Sequence, residues 1–267
     1  MDNDDALVGR ILSRRELIAL IGAAGALVAV GCGDDDAAPA ATGTAPAGAT
    51  TGPTATDAGG DPTATTAVAG DPTMTPSCVV SPELTEGPYF VDEDLDRSDI
   101  RSDPTSAIVA EGAEFLLAIN VLRVGESCAP LEGAQVDIWH CDAAGQYSDV
   151  SDPGFNTAGQ KWLRGYQVTD AAGHVEFTTI YPGWYQGRAT HIHFKVRAGN
   201  YEFTSQFFFD EDFSDIVHAQ SPYVEKGYRT LLNDGDNIYR QSAGQTVLEV
   251  VEAGPRLEST FTLGVSV

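Results

Sequence analysis

The chain has 267 residues and a formal net charge of −24, with 39 acidic side chains against 15 basic ones. Such a surface repels phosphate backbones, which argues against nucleic-acid binding. Hydrophobic residues make up 42% of the sequence and aromatic residues 9%, enough for a packed core, so a wholly disordered chain is excluded.

The N-terminal segment 1–32 has the pattern of an export signal. The paired arginines Arg14 and Arg15 precede an apolar run over 17–31, shorter than the roughly 20 residues of a membrane-spanning helix. This order predicts a twin-arginine signal. The run ends in Ala-Val-Gly-Cys32, which is similar to a bacterial lipobox. We therefore expect a cell-surface or periplasmic lipoprotein anchored at Cys32, or a secreted protein whose signal contains an incidental cysteine.

Residues 33–77 consist almost entirely of Ala, Thr, Gly, Pro and Asp. A segment with so few large apolar side chains cannot offset the entropy that is lost when a chain becomes ordered. We expect a disordered tether that holds a folded domain, residues 78–267, away from a membrane surface.

From Cys78 onward, short segments rich in Val, Ile, Phe, Tyr and Thr alternate with turn residues, which predicts β-strands. The predicted strands are 115–124, 134–140, 165–169, 174–180, 191–198, 201–209, 246–252 and 259–265. Helical turns are predicted only at 215–224 and 227–232. The expected fold class is therefore all-β: a single β-sandwich of mainly antiparallel strands with few short helical turns.

Three cysteines follow Cys32: Cys78, Cys128 and Cys141. Disulfides persist in exported proteins, so one pair is expected and one thiol is left over. The sequence leaves all three pairings open.

His191 and His193 stand two residues apart in a predicted strand, so both side chains project from the same face. Two imidazoles on one face supply half of a metal site. Ile192 and Phe194 are apolar on the opposite face, which indicates a packed strand. A cupin also uses a His-x-His pair, but it needs a Glu three or four residues beyond the second His, and the nearest Glu here is Glu202.

Tyrosines, rather than carboxylates or cysteines, stand where they could complete such a site. Tyr185 lies in a turn six residues before the His pair, and Tyr147 follows a predicted strand and a glycine turn. Phenolate is a hard, anionic donor, which favours ferric iron over zinc or copper(I).

In order along the chain, a larger set of motifs resembles the intradiol ring-cleavage dioxygenases, the family of protocatechuate and catechol dioxygenases. The motifs are Thr85–Phe90, Asp137–His140, Gly145–Tyr147, Leu163–Gly165, Thr169–Asp170, Gly173, Phe177–Ile180, Pro182–Tyr185, Arg188–Phe194 and Ser205–Gln206. Together they cover nearly all of residues 78–225. The chain is most similar to the exported branch of that family.

The resemblance implies a mononuclear non-haem Fe(III) held by Tyr147, Tyr185, His191 and His193, with hydroxide as fifth ligand. Two tyrosinates and a hydroxide would balance the three positive charges of the ion. It also implies O2 as co-substrate and a small aromatic diol that is cleaved between its two hydroxylated carbons, which gives a muconate-type dicarboxylate.

The same resemblance implies roles for further residues. Arg188 would stabilise negative charge on the substrate ring, Tyr185 would leave the metal and act as a base, and Gln206 would lie near the dioxygen pocket. Tyr89 and Trp184 are expected to line the substrate cavity. We expect His140 to be structural and His218 to be exposed.

Two alternative functions belong to other classes. One is a catalytically silent sandwich that binds phenolics or polysaccharide, and the other is a zinc or copper hydrolase or lyase built on the His pair. The presence of all four expected ligands and of Arg188 argues against the first, and the tyrosines argue against the second because zinc sites rarely recruit phenolate. The particular catechol derivative and the oligomeric state stay open.

Overall fold

The computed structural model describes residues 11–12, 78–106, 108–125 and 128–267. The predicted signal, 1–32, and tether, 33–77, lie outside the described residues, except for the two-residue strand β1 (Ile11–Leu12). In the part of the chain that is described, no helix is both long enough and apolar enough to cross a membrane.

The first sheet is built on one long strand, β2 (Gly112–Arg123). Its main partners are β13 (Arg256–Val265), which pairs with it in parallel, and β8 (His174–Ile180), which pairs with it antiparallel. The two-residue strands β1 and β3 (Ala129–Pro130) also pair with β2, and β12 (Val251–Ala253) pairs antiparallel with β13.

The second sheet has the strand order β11–β10–β9–β4–β7. In chain order its strands are β4 (Gln135–Trp139), β7 (Arg164–Val168), β9 (His191–Ala198), β10 (Tyr201–Phe209) and β11 (Val247–Leu248). All neighbours pair antiparallel except β10 and β11. A separate hairpin joins β5 (Ser151–Asp152) to β6 (Phe155–Asn156).

Strand β9 has the apolar core on one face and two histidines on the other. Ile192, Phe194 and Val196 are fully buried in the main core cluster, together with side chains of β2 and β10. Because successive side chains of a strand alternate between faces, His191 and His193 point away from that core. They are nevertheless buried, because the aromatic rings of Trp139 and Tyr147 pack against them on this second face.

These sheets confirm the expected β-sandwich, and the eight predicted strands correspond to observed strands. The helical regions differ from the expectation. Helix α1 (Glu211–His218) begins four residues before the predicted segment because Asp210 caps it, its carboxylate accepting the Phe213 N–H. Helix α2 (Asn237–Ser242) was not predicted. Short 3-10 turns occupy Tyr223–Lys226 and Asn233–Gly235.

One disulfide closes the start of the folded domain. Cys78 is bonded to Cys128, with a Cα–Cα distance of 5.6 Å, and Cys141 is a buried free thiol. The expected single pair is therefore present, and the structure selects one of the three pairings that the sequence left open. The bridge links the first described residue of the domain to the turn between β2 and β3.

We predict that the double substitution Cys78→Ser/Cys128→Ser lowers the free energy of unfolding by about 2 to 4 kcal/mol, because it removes a cross-link that closes a loop of about 50 residues. Urea unfolding of the wild type and the variant measures this. To check the Cys78–Cys128 pairing, the wild-type protein is unfolded without reductant and alkylated, and the alkylated cysteines are then identified by peptide mapping. Alkylation should then reach Cys141, and modification of Cys78 or Cys128 would contradict the assignment.

Candidate metal centre

The two histidines of β9 bring their Nε2 atoms within 3.0 Å of each other. The Nδ1 atom of His191 lies 2.6 Å from the carbonyl oxygen of Ala189, so the ring proton sits on Nδ1 and Nε2 presents a lone pair. Burial lowers the pKa of His191 to about 3 and holds that of His193 well below its usual range. Both rings are therefore neutral, the form that binds metal ions.

Tyr147 reaches the same point from a tight turn after β4. The turn closes through hydrogen bonds between Asp142 and Gln146, and it requires Gly145 because its φ is +77° and a Cβ there would collide with the Trp184 carbonyl oxygen. As a result, Tyr147 Oη lies 2.9 Å from His191 Nε2. Burial raises the pKa of this phenol well above its usual value, so only a nearby cation would favour the phenolate.

Tyr185 is the fourth predicted ligand, and its hydroxyl has other partners. The rings of Tyr185 and Tyr147 lie 5.9 Å apart, centroid to centroid. Tyr185 Oη is 2.5 Å from Tyr89 Oη and donates to Asp152 Oδ2 at 3.3 Å. Tyr89 stacks on Tyr147 at 4.7 Å and also donates to Asp152, at 2.6 Å. The structure therefore brings Tyr185 beside the cluster of Tyr147 and the His pair, with its hydroxyl held by Tyr89 and Asp152.

The donor cluster fits a metal ion. Tyr147 Oη and His193 Nε2 lie 2.9 Å and 3.0 Å from His191 Nε2. Because the Nδ1 proton of His191 is directed at the Ala189 carbonyl oxygen, His191 Nε2 has no proton to donate and offers only its lone pair. A cation between the three atoms would use all of them as lone-pair donors. Imidazole with anionic oxygen is a donor set that suits iron. Within the described ranges, no group of three or more His, Cys, Asp or Glu side chains offers a competing site.

Arg188 lies at the edge of this cluster, in the turn before β9. Its Nη2 donates to Gln206 Oε1 at 2.6 Å, and its Nε donates to Asp236 Oδ2 at 2.8 Å. Gln206 faces His193 across the β9–β10 ladder, and its amide nitrogen donates to the Thr85 carbonyl oxygen at 2.7 Å. Arg188 and Gln206, predicted separately, are thus direct partners. Their predicted roles toward substrate and dioxygen stay predictions.

Trp184, a predicted cavity residue, has its polar side-chain contacts with a segment that follows α1. Its indole N–H donates to the Gly227 carbonyl oxygen at 3.2 Å, and Lys226 Nζ lies 4.7 Å from the ring centroid. These are contacts with the 3-10 turn Tyr223–Lys226 and the residue after it. A role of Trp184 in substrate binding stays a prediction.

Two other histidines, His140 and His218, serve packing. His140 is buried, with Nε2 2.7 Å from Thr179 Oγ1 and Nδ1 2.9 Å from the Cys141 carbonyl oxygen, as a structural histidine should be. The expectation that His218 is exposed is wrong. Its Nε2 lies 3.0 Å from the Pro182 carbonyl oxygen, its ring stacks on Tyr223, and burial lowers its pKa to about 4.

Arg164, from the Leu-Arg-Gly motif, holds two of the tyrosine segments together. It is buried, and its Nε donates to Ser148 Oγ at 2.8 Å while Nη2 donates to the Ser148 carbonyl oxygen. Its Nη1 donates to the Tyr89 carbonyl oxygen at 3.3 Å. The guanidinium therefore bridges the backbone next to Tyr147 and that of Tyr89. This role of Arg164, and the contacts of Asp152 and Asp236, were not predicted from the sequence.

Comparison with known proteins gives consistent matches. A family model described as Dioxygenase matches residues 85–242, more than half of the chain. Catechol 1,2-dioxygenase 2 of Acinetobacter lwoffii is 32% identical over 181 residues, which is 58% of this chain and 57% of that protein. The chain thus spans little more than half the length of this curated relative.

Solved structures match as well. An intradiol ring-cleavage dioxygenase from Tetranychus urticae has a TM-score of 0.65 at 32% identity, covering 71% of this chain and 95% of that one. The dioxygenase domain of a dioxygenase carbohydrate-binding protein fusion from Streptomyces sp. SirexAA-E has a TM-score of 0.51 at 27% identity, covering 71% of this chain and 99% of that one.

The contacts of Arg164 generate a prediction about stability. Arg164→Lys should lower the free energy of unfolding by about 2 to 4 kcal/mol, because a lysine cannot reproduce the fork of hydrogen bonds and leaves buried carbonyl oxygens without donors. The matched control is Arg256→Lys, whose side chain is 41% exposed and pairs with Glu258, and which should change stability by less than about 0.5 kcal/mol. Equal losses in urea unfolding would contradict the proposed bridge.

Proposed function

The chain belongs to the intradiol ring-cleavage dioxygenase family, and we propose that it uses non-haem Fe(III) and O2 to cleave a catechol-type ring between its two hydroxylated carbons. The observation that carries the proposal is the convergence of Tyr147 Oη with the Nε2 atoms of His191 and His193, beside Tyr185. All four side chains lie in the region that the family model matches.

Tyr147, Tyr185, His191 and His193 would hold the ion. When bound, a ferric ion supplies Lewis acidity and one-electron chemistry that make the ring of a deprotonated catechol reactive toward O2. The two imidazoles donate as neutral rings, and the two phenols would donate as phenolates. Because the donor atoms of Tyr147 and the His pair are buried, bulk water has little access to compete with an organic ligand.

Tyr185 is suited to take a proton from the substrate. As a phenolate it can accept the proton of a catechol hydroxyl, and its O–H can then donate to Asp152 Oδ2, as it does in the structure. Tyr89 approaches the same oxygen at 2.5 Å. The pair of Tyr89 and Asp152 thus provides a place for the protonated Tyr185 hydroxyl away from the other three donors.

Arg188 is suited to stabilise negative charge that develops on the ring. Its guanidinium is permanently charged, and it is fixed by Asp236 and Gln206 at the margin of the donor cluster. Fixed charges in a water-poor site lower the energy of a charged transition state because they need no reorganisation during the reaction.

We also propose that the protein works outside the cytoplasm, as a lipoprotein anchored at Cys32 or in secreted form. The disulfide between Cys78 and Cys128 supports this location, because such bonds persist in oxidising compartments. The twin-arginine pattern and the tether composition support it from the sequence.

The central prediction concerns colour and product. The full-length, iron-loaded protein should be red-purple from tyrosinate-to-iron charge transfer, and catechol with O2 should give cis,cis-muconate without added reductant. Tyr147→Phe should change the visible band and lower kcat by at least about 100-fold, because it removes a ligand. Absorption spectra, oxygen uptake and product chromatography measure this.

A colourless protein without oxygen uptake would favour the silent binding sandwich, and a hydroxymuconic semialdehyde product would exclude intradiol cleavage.

A second prediction isolates the arginine. Arg188→Ala should retain iron and the visible band but lower kcat with catechol by about 100- to 1,000-fold, the usual cost of removing one group that stabilises transition-state charge. The control Arg240→Ala removes an exposed arginine of α2, whose guanidinium donates to the Asp234 carbonyl oxygen and to Asn237 Oδ1. That control should keep kcat within about threefold. Wild-type kcat in Arg188→Ala would rule out the role given to Arg188.

A further inference from the structure

Asp236 is a buried acidic residue with more hydrogen bonds than a helix cap needs. It precedes α2, and its Oδ1 accepts the N–H groups of Ile238 at 2.7 Å and Tyr239 at 3.3 Å, which is ordinary N-capping. Its Oδ2 accepts from Arg188 Nε at 2.8 Å and from the Ala189 N–H at 2.9 Å. Only the first pair of bonds serves the helix.

The second pair of bonds restricts the orientation of the Arg188 guanidinium. Asp236 holds it at Nε, and Gln206 Oε1 holds it at Nη2 at 2.6 Å. Gln206 is itself fully buried and fixed to the Thr85 carbonyl oxygen. A planar guanidinium held at two nitrogens by two fixed acceptors retains little rotational freedom. Nη1 is the nitrogen that neither of these two bonds uses.

The same carboxylate acts on the first histidine of β9 through one residue. The Ala189 N–H donates to Asp236, and the Ala189 carbonyl oxygen accepts the Nδ1 proton of His191 at 2.6 Å. Residue 189 is therefore fixed on one side by Asp236 and fixes the ring of His191 on the other. A hydrogen-bonded partner on the distal nitrogen sets both the tautomer and the orientation of a ligand histidine.

We propose that Asp236 is a positioning residue of the active site, which aims the Arg188 guanidinium at the substrate and holds residue 189 so that His191 Nε2 faces the metal. The kinetic part of this inference rests on the proposed dioxygenase function. Its structural part, the coupling between Asp236 and Arg188, does not.

The test is Asp236→Asn in the full-length, iron-loaded protein. Asparagine keeps the size and caps helices well, but its single oxygen cannot serve both pairs of donors. We expect kcat with catechol to fall about 10- to 100-fold while KM changes less than about threefold, because Arg188 acts on charge that forms during the reaction. Iron content should stay at the wild-type level, and the visible band should shift slightly through His191.

A double-mutant cycle separates positioning from general stability. If Asp236 acts on kcat mainly through Arg188, Asp236→Asn should cost less than about threefold in an Arg188→Ala background. Asp236→Asn should likewise lower the thermal unfolding midpoint more in the wild-type protein than in the Arg188→Ala variant. Losses in kcat that multiply, or a wild-type kcat in Asp236→Asn, would overturn the proposal.

Asp210→Asn is the matched control, because Asp210 caps α1 through the Phe213 N–H, as Asp236 caps α2, but without an arginine partner among its side-chain hydrogen bonds. It should leave kcat unchanged, and an equal loss there would overturn the proposal. A wild type that consumes no oxygen with catechol would refute the proposed function instead. The thermal unfolding midpoints would still test the interaction between Asp236 and Arg188. If Asp236→Asn lowered the midpoint equally in the wild-type and Arg188→Ala backgrounds, Asp236 would not hold Arg188.

Discussion

The alternation of side chains along β9 is the constraint on which both the core and the candidate site depend. Ile192 and Phe194 fill the core from one face while His191 and His193 enter the site from the other, so a slip of one residue would exchange the two sets. Because the apolar face is buried in the core, this register against β4 and β10 is strongly specified. The same register places Trp139 beside His193, where the rings stack at 4.9 Å with an interplanar angle of 9°.

Burial makes this site electrically neutral until a cation is bound. Desolvation keeps the His191 and His193 rings neutral and raises the pKa of Tyr147, so these three donors carry no charge of their own. At the edge of the site, the charge of the Arg188 guanidinium is balanced by Asp236. The ferric ion of the proposed function would supply the charge that converts the phenols to phenolates, and its binding and their deprotonation would be coupled.

The parts of the site that follow a local pattern could be predicted from the sequence, and the parts that depend on distant contacts could not. A period of two identifies the His pair, and ordered motifs identify Tyr147 and Tyr185. Asp152 and Asp236 are single acidic residues that meet their partners across 63 positions, to Tyr89, and 48 positions, to Arg188. An Asp before a short amphipathic segment is typical of a helix N-cap, so Asp236 could have suggested α2. Nothing in the sequence indicates that the other carboxylate oxygen of Asp236 binds Arg188.

The four candidate donors come from different kinds of structure, which would allow one of them to change partners. His191 and His193 are anchored in a central strand, and Tyr147 is fixed by a turn that closes on itself and by stacking against Tyr89. Tyr185 instead comes from a loop, is only half-buried, and already has its hydroxyl on Tyr89 and Asp152. A reaction that needs three constant donors and one that accepts a proton would be served by this division. The rigid sheet supplies the constant part, and the loop supplies the exchangeable one, because loops tolerate displacement at lower cost than paired strands.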